Sequence, residues 1–67
     1  MLNEEIVAMT LVEYVDFLIA MAEFNGHNHP HKVNWDYCHW HKVVSFERYG
    51  EAIPLLAERG YESWMED

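Results

Sequence analysis

The sequence has only one cysteine, Cys38, so no disulfide can form within the 67-residue chain. It has four basic residues against twelve acidic ones, which gives a formal net charge of −8. Such a charge repels nucleic acids and anionic membranes, so direct nucleic-acid binding and membrane binding are not expected. The longest apolar run, 17–22, has six residues, whereas a membrane-spanning helix needs about 20.

The lack of basic residues at the N-terminus and the scarcity of glycine restrict the possible location and functions of the protein. The first six residues contain no basic side chain, although a secretory signal begins with a positively charged segment, so a cytoplasmic location is expected. The three glycines are isolated, which excludes a glycine-rich phosphate-binding loop. So short a chain seldom encloses the buried pocket that acid–base catalysis requires. We therefore expect no catalytic residues and a protein that is not an enzyme.

Apolar residues, in contrast, are abundant. They make up 51% of the chain and include three Trp, four Tyr and three Phe. One domain covering 1–67 is expected, but a domain of this size buries only about 60% of its unfolded surface. Small domains without disulfides usually gain stability from a metal, a partner subunit or a very efficient core.

The segment from Thr10 to Gly26 carries the clearest helix signals. Thr10 and Glu13 form a capping box, which predicts a helix over 11–24 that ends at Asn25 or Gly26. Eleven of its fourteen residues are apolar, and the acidic residues share one narrow arc with Ala20. This helix should therefore be buried on more than one side. Homodimerisation is the favoured way to cover it, and the alternative is a central helix covered by its own chain.

The second half of the chain predicts further helices less clearly. Asn34 can cap a helix over 35–49, and a third helix over 51–59 would carry Pro54 in its first turn. Gly60 would end that helix, with Tyr61 folding back on Leu56. The predicted fold is a small all-α bundle of about three helices, completed by homodimerisation. Because 40–49 is rich in residues that favour strands, an α+β fold with a short hairpin there is the alternative. Residues 2–9 are compatible with a short helix, a strand or a frayed arm.

All five histidines and the only cysteine fall between 27 and 41. Short tracts rich in His and Cys are typical of metal binding, and zinc accepts imidazole and thiolate ligands. The predicted ligands are His29, His31, Cys38 and His41, with His27 and His39 as substitutes. The spacing nevertheless matches no established zinc pattern, so a solvated polar loop is the simpler interpretation. Acid sensing by these histidines is a further alternative.

These features predict a small acidic protein–protein interaction module, an inhibitor or adaptor that binds a basic protein partner. An acidic surface speeds the encounter with a basic partner and selects against acidic ones. Nucleic-acid-binding proteins are one subset of such partners, because an acidic protein can mimic nucleic acid. The residues predicted to contact the partner are Glu13, Asp16, Glu23, Trp35, Tyr37, Trp40, Glu47, Glu51, Glu58, Glu62 and Trp64. The alternative function is a transition-metal (zinc-like) binding domain.

Overall fold

The computed structural model describes residues 3–24, 26 and 29–62, which fold into α-helices joined by short connections. The helices in chain order are α1 (Asn3–Ala8), α2 (Leu11–Phe24), α3 (Pro30–Trp35) and α4 (Phe46–Glu58). No strand occurs within the described residues, so the all-α prediction is confirmed and the predicted hairpin around 40–49 is wrong. The strand-favouring residues of that stretch are divided between a helical turn, an irregular connection and the start of α4.

Helix α2 begins and ends where local chemistry predicts. The Thr10 N–H donates to Glu13 Oε1 at 2.9 Å, and the Glu13 N–H donates to Thr10 Oγ1 at 3.2 Å, which confirms the capping box. Gly26 adopts a left-handed φ of 72° beyond the C-terminal end. The reciprocal hydrogen bonds of Thr10 and Glu13 satisfy amide groups at the start of α2 that have no partner within the helix.

The exposed side of α2 is the predicted arc of Glu13, Asp16, Ala20 and Glu23. The opposite side packs against α3 and α4. Its buried residues are Tyr14, Val15, Phe17, Leu18 and Ala22. The chain therefore covers most of the apolar surface of α2 by itself, which is the alternative to a dimer. Homodimerisation stays a prediction.

The predicted helix over 35–49 is wrong at both ends. Helix α3 already begins at Pro30, whose fixed φ suits the first helical position. It continues as a π-helical turn over Asp36–Trp40, and the chain then leaves the helix until α4 begins at Phe46. Asn34 therefore lies inside a helix, and Ser45 caps α4 by accepting a hydrogen bond from the Arg48 N–H at 3.2 Å.

Helix α4 is longer than the predicted helix over 51–59. Gly50 and Pro54 both lie inside it, so the prediction of Pro54 in a first turn is also wrong. Its C-terminal end agrees with prediction, because Gly60 has a φ of 93° and the Tyr61 N–H donates to the Leu56 carbonyl at 3.0 Å. In the region left open at the N-terminus, residues 3–8 form α1.

The core lies where α2, α3 and α4 meet, with Ile6 of α1 closing one side. One fully buried polar residue, Asn34, joins the three helices. The Tyr14 hydroxyl donates to Asn34 Oδ1 at 2.5 Å, and Asn34 Nδ2 donates to the Tyr49 carbonyl at 3.3 Å. Within the described ranges, no helix combines the length and apolar character needed to cross a membrane.

Candidate protein-interaction surface

The connection between α3 and α4 has an unusual backbone. The His41 N–H donates to the Asp36 carbonyl at 2.8 Å, which closes the π-helical turn. Lys42 then adopts a φ of 57°, and within the described part of the chain no other residue except glycine has a positive φ. Both features are costly for the backbone and concentrate at functional sites. The segment 36–46 is therefore a candidate functional site.

A cleft of about 390 Å³ opens beside this connection, and we call it the connector cleft. It is lined by Cys38, His39, Lys42, Val44, Ser45 and Phe46. Phe46 is 71% exposed, and Trp40 in the same connection is 74% exposed. Two large aromatic side chains are thus exposed within six residues of each other, and one of them, Phe46, lines the cleft.

Helix packing fixes one side of the connector cleft. The ring of His39 stacks on that of Trp35 with centroids 3.5 Å apart, and it meets Phe46 edge-on at 5.0 Å and Tyr49 at 5.3 Å. These rings connect the end of α3 to the first turn of α4. This side of the cleft is therefore built on ordered secondary structure, which positions a binding surface more precisely than a loop does.

The predicted aromatic anchors have different environments. Trp40 is exposed, whereas Trp35 is half-buried under His39. Tyr37 packs on Phe17 at 5.6 Å and contacts the core. Trp64 lies outside the described residues. Phe46 was not among the predicted contacts, and its exposure follows from its place at the start of α4, which the sequence interpretation had put inside another helix.

The predicted acidic contacts are all exposed, and Asp16 is the only one of them with an ion pair to another described residue. Asp16 forms an ion pair with Arg59, which connects the exposed side of α2 to the end of α4. Two further basic side chains also have partners of their own. Lys32 pairs with Asp36 at 2.9 Å, and Arg48 Nη1 donates to the Met9 carbonyl at 2.5 Å. The other predicted acidic contacts have no ion pair within the described residues, and they are Glu13, Glu23, Glu47, Glu51, Glu58 and Glu62.

The predicted metal ligands are not gathered into one cluster. The rings of His29 and His31 lie 5.4 Å apart, and His31 Nε2 is 3.2 Å from the Tyr61 carbonyl. His41 is exposed and contacts the Tyr37 ring at 5.7 Å. Within 3–24, 26 and 29–62, no group of three or more His, Cys, Asp or Glu side chains is arranged to hold a metal ion. His27 lies outside those residues, so the zinc alternative stays a prediction.

Burial lowers the reactivity of the Cys38 thiol. The side chain is buried, and desolvation raises the pKa of its thiol above the usual value. A raised pKa lowers the thiolate fraction, and thiolate is the form that attacks substrates and binds metals. Cys38 therefore contributes apolar surface to the connector cleft.

Comparisons of this chain with protein-family models, curated proteins and solved structures find no match. The candidate surface consists of the connector cleft and the adjoining face of helix α4. It combines two exposed aromatic side chains, a small cleft and unpaired carboxylates on the adjoining helix α4. This combination suits the binding of a macromolecule, because aromatic side chains supply contact area and charges select the partner.

Proposed function

We propose that this protein is a protein–protein interaction module, an inhibitor or adaptor, that binds a basic protein partner. The observation that supports the proposal is the exposure of Phe46, which lines the connector cleft, and of Trp40 in the π-helical turn before it. Aromatic side chains bury about 150–250 Å² each and are enriched among the residues that dominate binding energy. Trp40 and Phe46 would be the anchors of the interface.

The unpaired carboxylates support the choice of a basic partner. Glu47, Glu51 and Glu58 extend along α4 from the connector cleft, and no cation among the described residues forms an ion pair with them. Such charges accelerate association with a basic surface and make the rate depend on salt. Nucleic-acid-binding proteins are one class of protein with this surface, so mimicry of nucleic acid is one way in which the module could inhibit.

Site-specific photo-crosslinking tests the proposal. A photoreactive phenylalanine analogue at Phe46 should crosslink a basic protein in an extract of the source cells, whereas the same analogue at the exposed Val7 should not. Excess unlabelled wild-type protein should suppress the product, and the Trp40→Ser/Phe46→Ser variant should suppress it poorly. Equal suppression by both competitors would show that the aromatic side chains are not the contact surface.

Self-association is expected to use a different surface. Phe24, at the end of α2, is 85% exposed, and a Phe side chain gains about 1.5–3 kcal/mol when it is fully buried. We expect native mass spectrometry at micromolar concentration to detect a homodimer, and Phe24→Ser to shift it to monomer. The Val7→Ser variant, at a 62% exposed position on α1, is the control and should leave the subunit count unchanged. A wild-type protein that is monomeric throughout would contradict this prediction.

A further inference from the structure

The solvent-exposed face of α4 carries two parallel stripes. The apolar stripe consists of Phe46, Gly50, Pro54 and Ala57, all exposed. The acidic stripe consists of Glu47, Glu51 and Glu58, also exposed. At 100° per residue the apolar stripe spans about 80° of the helix and the acidic stripe about 40°. The two stripes therefore lie side by side, and both begin at the connector cleft.

Gly50 makes the middle of the apolar stripe unusually flat. A Cβ added at Gly50 would meet no atom within 4 Å, so packing within the chain leaves room for a side chain. Glycine is also a poor helix former, and Gly50 lies inside α4. A glycine of this kind allows another backbone to approach closely. Pro54, one turn later, cannot donate to the Gly50 carbonyl and adds only a compact ring to the face.

We infer that this face binds a basic amphipathic helix of the partner, docked antiparallel to α4 with its C-terminal end at the connector cleft. The inference rests on the proposed function and names the kind of partner segment. The acidic stripe extends from Glu47 to Glu58, and these eleven residue steps correspond to about 17 Å along the helix axis. A second helix matches this length, and small residues at the contact let helix axes approach to about 8–10 Å.

An extended partner segment fits the face less well. Extended peptides bind by adding a strand to the edge of a sheet, and the described residues contain no sheet, or as proline-rich segments in aromatic-lined grooves, whereas the apolar stripe beyond Phe46 consists of Gly50, Pro54 and Ala57. Amphipathic helices instead lay an apolar face into an apolar groove, and α4 offers an apolar stripe ending in a cleft. The acidic stripe would meet basic side chains along one edge of such a helix.

Charge at the connector cleft sets the orientation. Lys42 lines the cleft, and the positive end of the α4 dipole is at Phe46. The C-terminal end of a helix carries partial negative charge, so it is favoured at this position. An antiparallel partner would place basic residues over Glu58, Glu51 and Glu47 in that order, with spacings of seven and then four residues.

A synthetic helical peptide of about five turns tests this geometry. Its arginines are spaced seven and then four residues apart, apolar residues fill the adjoining face, and a leucine near the C-terminus provides the cleft anchor. Fluorescence anisotropy at physiological salt should detect binding. The reversed sequence, with the same composition, and a variant with glutamine in place of arginine should each bind at least about tenfold more weakly, a difference of about 1.4 kcal/mol. Equal binding of the reversed peptide would overturn the orientation and the inference.

Variants of the protein locate the docking face. Glu51→Arg should weaken peptide binding at least about tenfold, and a peptide with glutamate at the facing arginine should restore it. Glu5→Arg, an equal charge change at an exposed position on α1, should weaken binding less than about twofold, because it removes only a distant attraction that salt screens. Loss of affinity by Glu5→Arg equal to that of Glu51→Arg would overturn the inference, since it would show a general charge effect.

Substitution of Gly50 separates docking from folding. Gly50→Ala should raise the melting temperature of the free protein, because alanine is the better helix former and the Cβ meets no atom within 4 Å. Gly50→Leu should leave the fold intact, as judged by circular dichroism, yet weaken peptide binding at least about tenfold. Undiminished binding of the folded Gly50→Leu protein would overturn the inference.

The failure of this inference can be distinguished from failure of the proposed function. If Phe46 crosslinks a basic partner but the Gly50→Leu and Glu51→Arg variants compete as well as wild-type protein, the helix-docking inference is wrong and the proposed function stands. If position 46 crosslinks no protein that the wild-type competitor suppresses and the peptide does not bind, both are wrong.

Discussion

Replacing Asn34 with leucine should lower the free energy of unfolding by about 3 kcal/mol. Leucine has a similar volume, so the loss would come mainly from hydrogen bonds. The variant leaves the buried Tyr14 hydroxyl without its acceptor and the Tyr49 carbonyl without the Asn34 donor. An unsatisfied buried hydroxyl costs about 1–3 kcal/mol, and the Tyr49 carbonyl, which lies inside α4, loses a second hydrogen bond worth about 0.5–1.5 kcal/mol. Urea unfolding followed by circular dichroism measures the change, which would be a large share of the roughly 3–10 kcal/mol expected for a domain of this size.

A double-mutant cycle separates the hydrogen bond from side-chain shape. Burial raises the pKa of the Tyr14 phenol well above its usual value, so its proton is retained and donated to Asn34. Tyr14→Phe alone removes that donor, and the Tyr14→Phe/Asn34→Leu pair leaves an apolar contact in its place. The pair should therefore be less destabilised than the sum of the single variants. As a control, Glu23→Leu on the exposed side of α2 should stay within about 0.5 kcal/mol of wild type. A cost below about 0.5 kcal/mol for Asn34→Leu would contradict the role of Asn34.

Acidification should destabilise the protein through His31. Its side chain is buried, and desolvation lowers the pKa of the imidazole below 6.5. The nearby ring of His29 also lowers this pKa, whereas the hydrogen bond with the Tyr61 carbonyl opposes both effects. Since the unfolded chain then binds the proton more readily than the folded one, the contribution of His31 to stability is fully present above its ordinary pKa of 6.5 and declines as the pH falls below it.

The His31→Gln variant tests the acid response. Glutamine can still donate to the Tyr61 carbonyl but does not titrate, so the variant should lose less stability than wild type between about pH 7.5 and about pH 5. Urea unfolding midpoints at both pH values provide the measurement. His41→Gln is the matched control, because His41 is exposed. Parallel pH dependence of wild type and His31→Gln would show that other groups cause the acid response.

The sequence predicted the features of this fold that depend on neighbouring residues. Thr10 and Glu13 are three positions apart, and their reciprocal hydrogen bonds form within one turn. Gly26 and Gly60 adopt the left-handed conformations that glycine allows most readily. The exposed arc of α2 also followed from helical periodicity, because charged side chains avoid burial without partners.

The errors came from residues whose environment depends on distant parts of the chain. Asn34 has the chemistry of a helix cap, but its observed partners Tyr14 and Tyr49 lie 20 and 15 positions away. Burial between three helices therefore outweighs the local preference of asparagine for a helix end. The connection over 41–45 is similar, since the strand-favouring residues Val43 and Val44 there join the core cluster that includes Ile6 of α1.

By itself, then, the sequence determined the helical class, the limits of α2, the C-terminal end of α4 and the acidic surface, because each depends on local hydrogen bonds or on composition. Only the tertiary structure decided that Asn34 is buried, that Tyr37 packs against the core and that Phe46 is exposed at the connector cleft. The physical reason is that exposure and long-range hydrogen bonding depend on which helices meet. The spacing of residues within one helix does not indicate which other helices it will contact.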